Sequence, residues 1–280
     1  MAKKKSSKIL TILSNILLVV CLGVFGYSSY RIFAFEISRR VTAKEHDSIY
    51  ELIDVTKPGK KPGGKTDEPE EWSFTQDSWR KLKAANDDFQ MFLRFDSGII
   101  SESVMQSDNN DFYLRRSFYT NYSEVGIPFL DYRCRTWDTN MTIYGHLVYY
   151  DANLMFSPLT LLTDQVAFAS NNTLKLYFEN EIRSYRVAYV YHYYLTDYDN
   201  YDYVVGNFGS AAEFEKYMEY PRAHNMIYTG VDINYGDKFI TLQTCVKYHQ
   251  EQRLIIVAKE VSRDAYPADY SGPDVDITDD

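Results

Sequence analysis

From Ile9 to about Tyr30 nearly every residue is apolar, including the run Ile16-Leu17-Leu18-Val19-Val20. About 20 such residues cross the hydrocarbon core of a bilayer as a helix, so residues 9–30 predict one transmembrane anchor. Lys3, Lys4, Lys5 and Lys8 lie just before it. Positive charge is retained on the cytoplasmic side, which places residues 1–8 in the cytoplasm and everything after the span outside. Arg31, Arg39 and Arg40 weaken that bias without reversing it. A cleaved signal peptide is the competing reading, but the run is longer than the apolar part of such a peptide and no small-x-small cleavage site follows. Cys21 follows Val20 rather than a small residue, which argues against lipoprotein processing and leaves it a small apolar residue of the span.

Residues 31–71 read as a juxtamembrane stalk and linker. Charge and apolarity alternate loosely from Ile32 to about Ile53, as in a juxtamembrane helix or stalk. The run Pro58-Gly59-Lys60-Lys61-Pro62-Gly63-Gly64-Lys65 and the acidic stretch Asp67-Glu68-Pro69-Glu70-Glu71 cannot build a core. Past it, Trp79, Leu82, Ala85 and Phe89 recur at helical spacing and predict an amphipathic helix packed on the next domain. The chain carries 26 Tyr and 16 Phe, which favours strand-rich structure over helix bundles.

Short β-branched and aromatic segments then succeed one another: Phe112 to Phe118, Gly126 to Asp131, Met141 to Val148, Leu174 to Phe178 and Tyr185 to Tyr193. Lys238 to Val246 and Arg253 to Val261 predict two last strands flanking a polar loop, Lys247 to Gln252. The pattern predicts a β-dominated domain over 72–264, a barrel or sandwich of about seven or eight strands. One helix interrupts it, where Ser210 and Glu213 form a capping-box signature ahead of Phe214, Tyr217 and Met218. Residues 265–280 read as an acidic, solvated tail.

A net charge of −9 argues against nucleic acid as a partner, since a phosphate-binding face needs excess Lys and Arg. Three cysteines, Cys21, Cys134 and Cys245, are too few for a disulfide framework. A cysteine attacks as its thiolate and needs a nearby base or positive charge with access to solvent. Cys245 ends the strand Phe239-Ile240-Thr241-Leu242-Gln243-Thr244-Cys245, where exposure is available; a buried strand cysteine is the plainer alternative. His146 ends Thr142-Ile143-Tyr144-Gly145-His146, and Arg253 opens the strand after Cys245. Alone, these read as a structural imidazole and a solvated charge. Cys134 has basic neighbours but no base implied by any pattern, and reads as structural. His192, His224 and His249 lack partners at metal-ligand spacing, so neither metal nor cofactor is indicated.

Taken together, Tyr144-Gly145-His146, Thr241-Leu242-Gln243-Thr244-Cys245 and Arg253 resemble the signature of the sortase family. Gln106-Ser107-Asp108-Asn109-Asn110-Asp111-Phe112-Tyr113-Leu114, Phe129-Leu130-Asp131-Tyr132-Arg133, Asn140 and Met155-Phe156 extend the resemblance to class B sortases, over about residues 80 to 262. The resemblance implies an eight-stranded β-barrel with an N-terminal amphipathic helix and an inserted helix before the cysteine strand. It also implies a membrane-anchored cysteine transpeptidase that cleaves a Thr-x bond in the C-terminal sorting signal of a surface protein or pilin. Cys245 would form the thioester, His146 would serve as acid and base, and Arg253 would stabilise the oxyanion. The acyl group would pass to an amine of a peptidoglycan precursor or a pilin lysine. Asn110, Leu114 and Thr244 fall where class B enzymes contact substrate. Gln243 stands where many members carry Ser, and Val246 where a polar residue is common, so these departures bear on substrate choice. A non-catalytic sortase-like binding or pilus-assembly domain and a hydrolytic cysteine protease are the alternatives; intact His146, Cys245 and Arg253 argue against the first.

Overall fold

A strand whose two faces are both apolar has to be covered on both, and the long aromatic strands of this chain are. The structure, a computed structural model, describes residues 2–53, 72–198 and 200–267. The expected linker at 58–71 and tail residues 268–280 lie outside the described residues. Among the described residues, the strands are β1 (Phe89–Phe95), β2 (Ser101–Met105), β3 (Phe129–Leu130), β4 (Asn140–Tyr144), β5 (Thr173–Tyr177), β6 (Ile182–Tyr194), β7 (Phe239–Val246) and β8 (His249–Asp264). They close into a barrel in the order β1-β2-β3-β4-β7-β8-β6-β5. The β2–β3 and β4–β7 pairs are parallel, and the others antiparallel.

Side-chain alternation sorts each strand between lumen and exterior. Ile240 and Leu242 of β7, Leu254, Ile256 and Ala258 of β8, and Met141 and Ile143 of β4 fill the lumen with Leu93, Leu176 and Val187. Full burial of one such side chain is worth about 1.5–3 kcal/mol. Two apolar layers cover the outside. Phe239, Ile255 and Val257 face outward into a tyrosine-rich cluster with Tyr191, Tyr193 and Tyr203, closed by Phe214, Tyr217 and Met218 of helix α4 (Ala211–His224). Phe89, Phe92 and Tyr177 lie beneath Leu82 of α2 (Gln76–Ala85) and Ile49 of the long helix α1 (Ala2–Leu52). A short helix α3 (Gln165–Ser170) precedes β5.

The capping reading at Ser210 holds, with one change. Ser210 Oγ accepts from the Glu213 N–H at 3.2 Å, and the Glu213 carboxylate reaches back to the N–H of Gly209 rather than of Ser210. Of the two forms expected at 32–53, helix rather than loose stalk is found. α1 continues to Leu52, Ile49 and Ile53 join the outer core, and the Tyr50 hydroxyl donates to the Ser101 carbonyl at 3.1 Å.

Three local expectations are corrected. Phe112 to Phe118 is no strand: Asn109 Oδ1 accepts from the N–H of both Asp111 and Phe112 at 2.9 Å, and this turn winds the chain into a 3-10 turn at Tyr113–Arg115. Phe89 belongs to β1, because α2 stops at Ala85. The polar residues 249–252 do not form a loop. They start β8, where Gln252 pairs with Tyr194 and His249 with Val246, leaving Lys247 and Tyr248 as the turn.

Candidate active site

The nucleophile candidate and its cationic neighbour are brought together by strand register. Cys245 of β7 lies directly opposite Arg253 of β8, and residues so paired point to the same face with Cα atoms about 4.5–5.5 Å apart. Leu242 and Leu254 face the lumen, so alternation sets Gln243, Cys245 and Arg253 on the outer face. β4 runs beside β7 with Tyr144 opposite Gln243, and the Gly145 N–H donates to the Gln243 carbonyl at 3.0 Å. β4 ends at Tyr144, so His146 lies two residues past the last position paired with β7. Tyr144 packs against both outer apolar layers, so the strip carrying these residues is the floor between them.

Just past Cys245 the ladder breaks. The next pair is Val246 with His249, so Gln250 to Gln252 have no partner on β7 and form a bulge, while Gln252 still pairs with Tyr194 of β6. Bulges of this kind re-aim side chains at sheet edges. Here the Arg253 guanidinium turns back onto the bulge, Nη1 donating to the carbonyls of Gln250 and Gln252, both at 2.8 Å. Cys245 is a free, half-buried thiol.

His146 is half-buried, and its Nε2 lies 2.8 Å from the Leu114 carbonyl. A carbonyl only accepts, so Nε2 carries the hydrogen and the neutral ring keeps its lone pair on Nδ1. Burial lowers the imidazole pKa below its ordinary value; the Leu114 bond opposes this and the charge of Arg115 adds to it. The ring is therefore mainly neutral near pH 7. Among the described residues, no hydrogen bond joins Cys245, His146 and Arg253 to one another.

The glycine before His146 has a specific reason. A Cβ at Gly145 would meet Phe156 ring carbons at 2.4 Å, and the Phe156 N–H donates to the His146 carbonyl at 3.1 Å. The backbone around His146 is thus seated directly on a buried ring.

The expected groove residues divide. Asn110 is locked into the wall, its Nδ2 donating to Asp131 Oδ2 at 2.9 Å and its Oδ1 accepting from the Tyr132 N–H at 3.0 Å. Leu114 is half-buried and holds His146 through its carbonyl. Thr244 is not brought to the groove: it is fully buried opposite Leu254, on the lumen face, with Oγ1 lacking a partner among the described residues.

Sequence reasoning missed the polar brace behind this floor. Asp131, fully buried, accepts from Tyr144 Oη at 2.8 Å, from Asn110 Nδ2, and from Arg133 through Nε and Nη2, both at 2.9 Å. Burial pushes its carboxyl up, but these donors outweigh that and hold it below its ordinary value. The segment Asp131-Tyr132-Arg133 was visible as a motif, but two of its partners, Tyr144 and Asn110, lie 13 and 21 residues away. On the other side of the strip, Tyr203 Oη donates to Gln243 Oε1 at 3.3 Å. Burial raises the Tyr203 pKa while the charge of Arg253 opposes the rise, so guanidinium and phenol share one neighbourhood.

Cys134 is buried, and burial pushes its thiol up to about 11, which disfavours the thiolate. Among the described residues, no group of three or more His, Cys, Asp or Glu side chains is placed to hold a metal ion.

No protein-family model matches the chain. It is 27% identical over 260 residues to sortase B of Listeria monocytogenes, covering 91% of this chain and all of that one. It is 22% identical over 259 residues to sortase B of Staphylococcus aureus, covering 91% and 98%. The crystal structure of sortase B from Clostridium perfringens superposes with a TM-score of 0.60 at 26% identity, covering 65% of this chain and 99% of that one.

Proposed function

We propose, from the premise that this chain belongs to the class B sortases and is a cysteine transpeptidase, that Cys245 is its nucleophile, His146 its acid and base, and Arg253 its oxyanion partner. The observation that carries this assignment is the register: Cys245 faces Arg253 across β7 and β8, and His146 follows two residues after the end of β4, the strand that flanks β7.

The Cys245 thiol gives its proton to the neutral His146 imidazole, and the resulting thiolate attacks the carbonyl carbon of a Thr-x bond in a sorting signal, forming the C–S bond and leaving negative charge on the former carbonyl oxygen. The Arg253 guanidinium stays charged at any working pH and turns one donor from the bulge carbonyls toward that oxygen. Loss of such a donor costs about 2.7–4 kcal/mol of barrier. Collapse breaks the C–N bond, and protonated His146 supplies the hydrogen that the departing amine requires. An incoming primary amine then loses a proton to the neutral imidazole, forms the new C–N bond and expels Cys245. A buried His with lowered pKa favours the second half-reaction, in which it acts as base.

The donor is a surface protein or pilin with a C-terminal sorting signal, and the acceptor an amine of a peptidoglycan precursor or a pilin lysine. The apolar helix Thr11–Ile37 is long enough to cross a bilayer, and the lysines before it favour a cytoplasmic N-terminus with the barrel outside. The test is product analysis by mass spectrometry of sorting-signal peptides incubated with the protein, with and without a primary amine. Amine-dependent product that disappears in Cys245→Ala supports the assignment. Product that survives Cys245→Ala overturns it, and release of free acid at an equal rate with and without amine supports hydrolysis instead.

A further inference from the structure

We propose that the loop following His146 rests in the headgroup layer of the membrane that α1 crosses, so that the catalytic groove lies along the bilayer surface. This rests on the anchor reading given above. Composition alone allows a span from Thr11 to Ile37, 27 residues, or about 40 Å at about 1.5 Å per residue. The hydrocarbon core needs only about 30 Å, or about 20 residues. The structure decides which residues those are. Ala34, Phe35 and Glu36 are half-covered by the folded domain, and the Phe35 ring stands edge-on to Tyr150 with centroids 4.6 Å apart. A polar domain does not cover a helix inside hydrocarbon. The outer boundary therefore falls before Phe35, and the first charge after the apolar run, Arg31, marks it. Arg31 Nη1 donates to the Tyr27 hydroxyl one turn back at 3.4 Å.

Phe35 stands four residues beyond Arg31, about 6 Å along the axis, and the headgroup layer of one leaflet is about 5–8 Å deep. Tyr150, in contact with Phe35, is thus at headgroup depth. The loop at this level is tipped with tyrosines: Tyr149 is 51% and Tyr150 42% exposed. Amphipathic rings concentrate at membrane–water interfaces. The loop carrying Asn121 is tied farther along α1, Asn121 Nδ2 donating to Glu45 Oε1 at 2.7 Å. The loop after His146 is short and closed, Leu147 bridging Met155 and the Phe156 N–H bonding the His146 carbonyl. The imidazole is held within a few residues of the lipid surface.

The experiment uses the full chain reconstituted into vesicles of phosphatidylcholine and phosphatidylglycerol, brominated on the acyl chains either near the glycerol or near the terminal methyl. Single variants Tyr149→Trp, Tyr150→Trp, Cys21→Trp and Tyr235→Trp are compared with the parent by the quenching of the added tryptophan. Cys21, ten residues or about 15 Å before Arg31, stands near mid-bilayer, and Tyr235 packs on Phe214 of α4. The expected result is quenching at 149 and 150 by the shallow bromines, several-fold above that at 235, with 21 quenched by the deep ones. Deep quenching at 21 with 149 and 150 no more quenched than 235 overturns the proposal while the anchor stands. No quenching at 21 overturns the anchor reading and the proposal with it.

Discussion

The replacement of Gly145 by alanine isolates how closely the backbone under His146 is fitted. The added Cβ would sit 2.4 Å from a Phe156 ring carbon, about 1 Å short of the 3.4 Å at which ordinary contact begins. Phe156 has no room to yield: it is fully buried in the lumen core, and its N–H holds the His146 carbonyl. The strand end must shift instead, carrying the imidazole with it. Overpacking of this kind costs about 1–3 kcal/mol, a melting shift of roughly 2–12 °C for a domain of this size. A displacement of about 1 Å in a catalytic group costs about 100-fold in rate. Differential scanning fluorimetry and kcat/KM on a sorting-signal peptide read the two effects. Phe156→Leu in the Gly145→Ala background should recover part of both, because it vacates the volume the methyl needs. Unchanged melting temperature and activity in Gly145→Ala would refute the reasoning.

Arg253→Lys keeps a positive charge but loses the fork that spans the Gln250 and Gln252 carbonyls; kcat should fall about 100- to 1000-fold with the melting temperature nearly unchanged, as steady-state kinetics and calorimetry will report. His146 and His192 are both held below their ordinary value of 6.5 by burial. The unfolded chain takes up those protons first, so stability is full above that value and declines as pH falls through it toward the folded pKa values; in urea titrations across that range, His146→Gln should flatten the slope. Iodoacetamide at neutral pH should alkylate Cys245 and spare Cys134, whose thiol is buried and pushed up to about 11; peptide mapping of the native protein distinguishes them, and modification at Cys134 would contradict its burial.

What the sequence disclosed followed from local periodicity and from motif. The apolar run of α1, the Ser210 cap of α4 and the aromatic alternation of β5 to β8 are short-range signals, and each sits where it was expected to within a few residues. β2 was missed because Ser-Glu-Ser-Val-Met shows no apolar alternation; Val104 is buried in the lumen core, and α1 approaches the strand with His46 Nε2 3.3 Å from Glu102 Oε1. The strand expected at Phe112 to Phe118 failed for a related reason, since Asn109 turns the backbone while the aromatic rings still reach the core. Residues 249–252 looked like a loop because they are polar, yet their backbone groups complete a ladder that composition does not encode. In the site, the motif picked out Cys245, His146 and Arg253, but the Tyr144 and Asn110 bonds to Asp131 and the Leu114 bond to His146 join residues 13 to 32 apart. Such contacts leave no periodic trace.

The most direct measurement is intact-mass analysis of the protein quenched in acid during turnover of a sorting-signal peptide with no amine present. The predicted result is an adduct of the acyl fragment, removed by hydroxylamine and mapped by proteolysis to the peptide containing Cys245. An adduct mapped to any other residue, or turnover without an adduct under conditions where thioesters survive, would contradict the account.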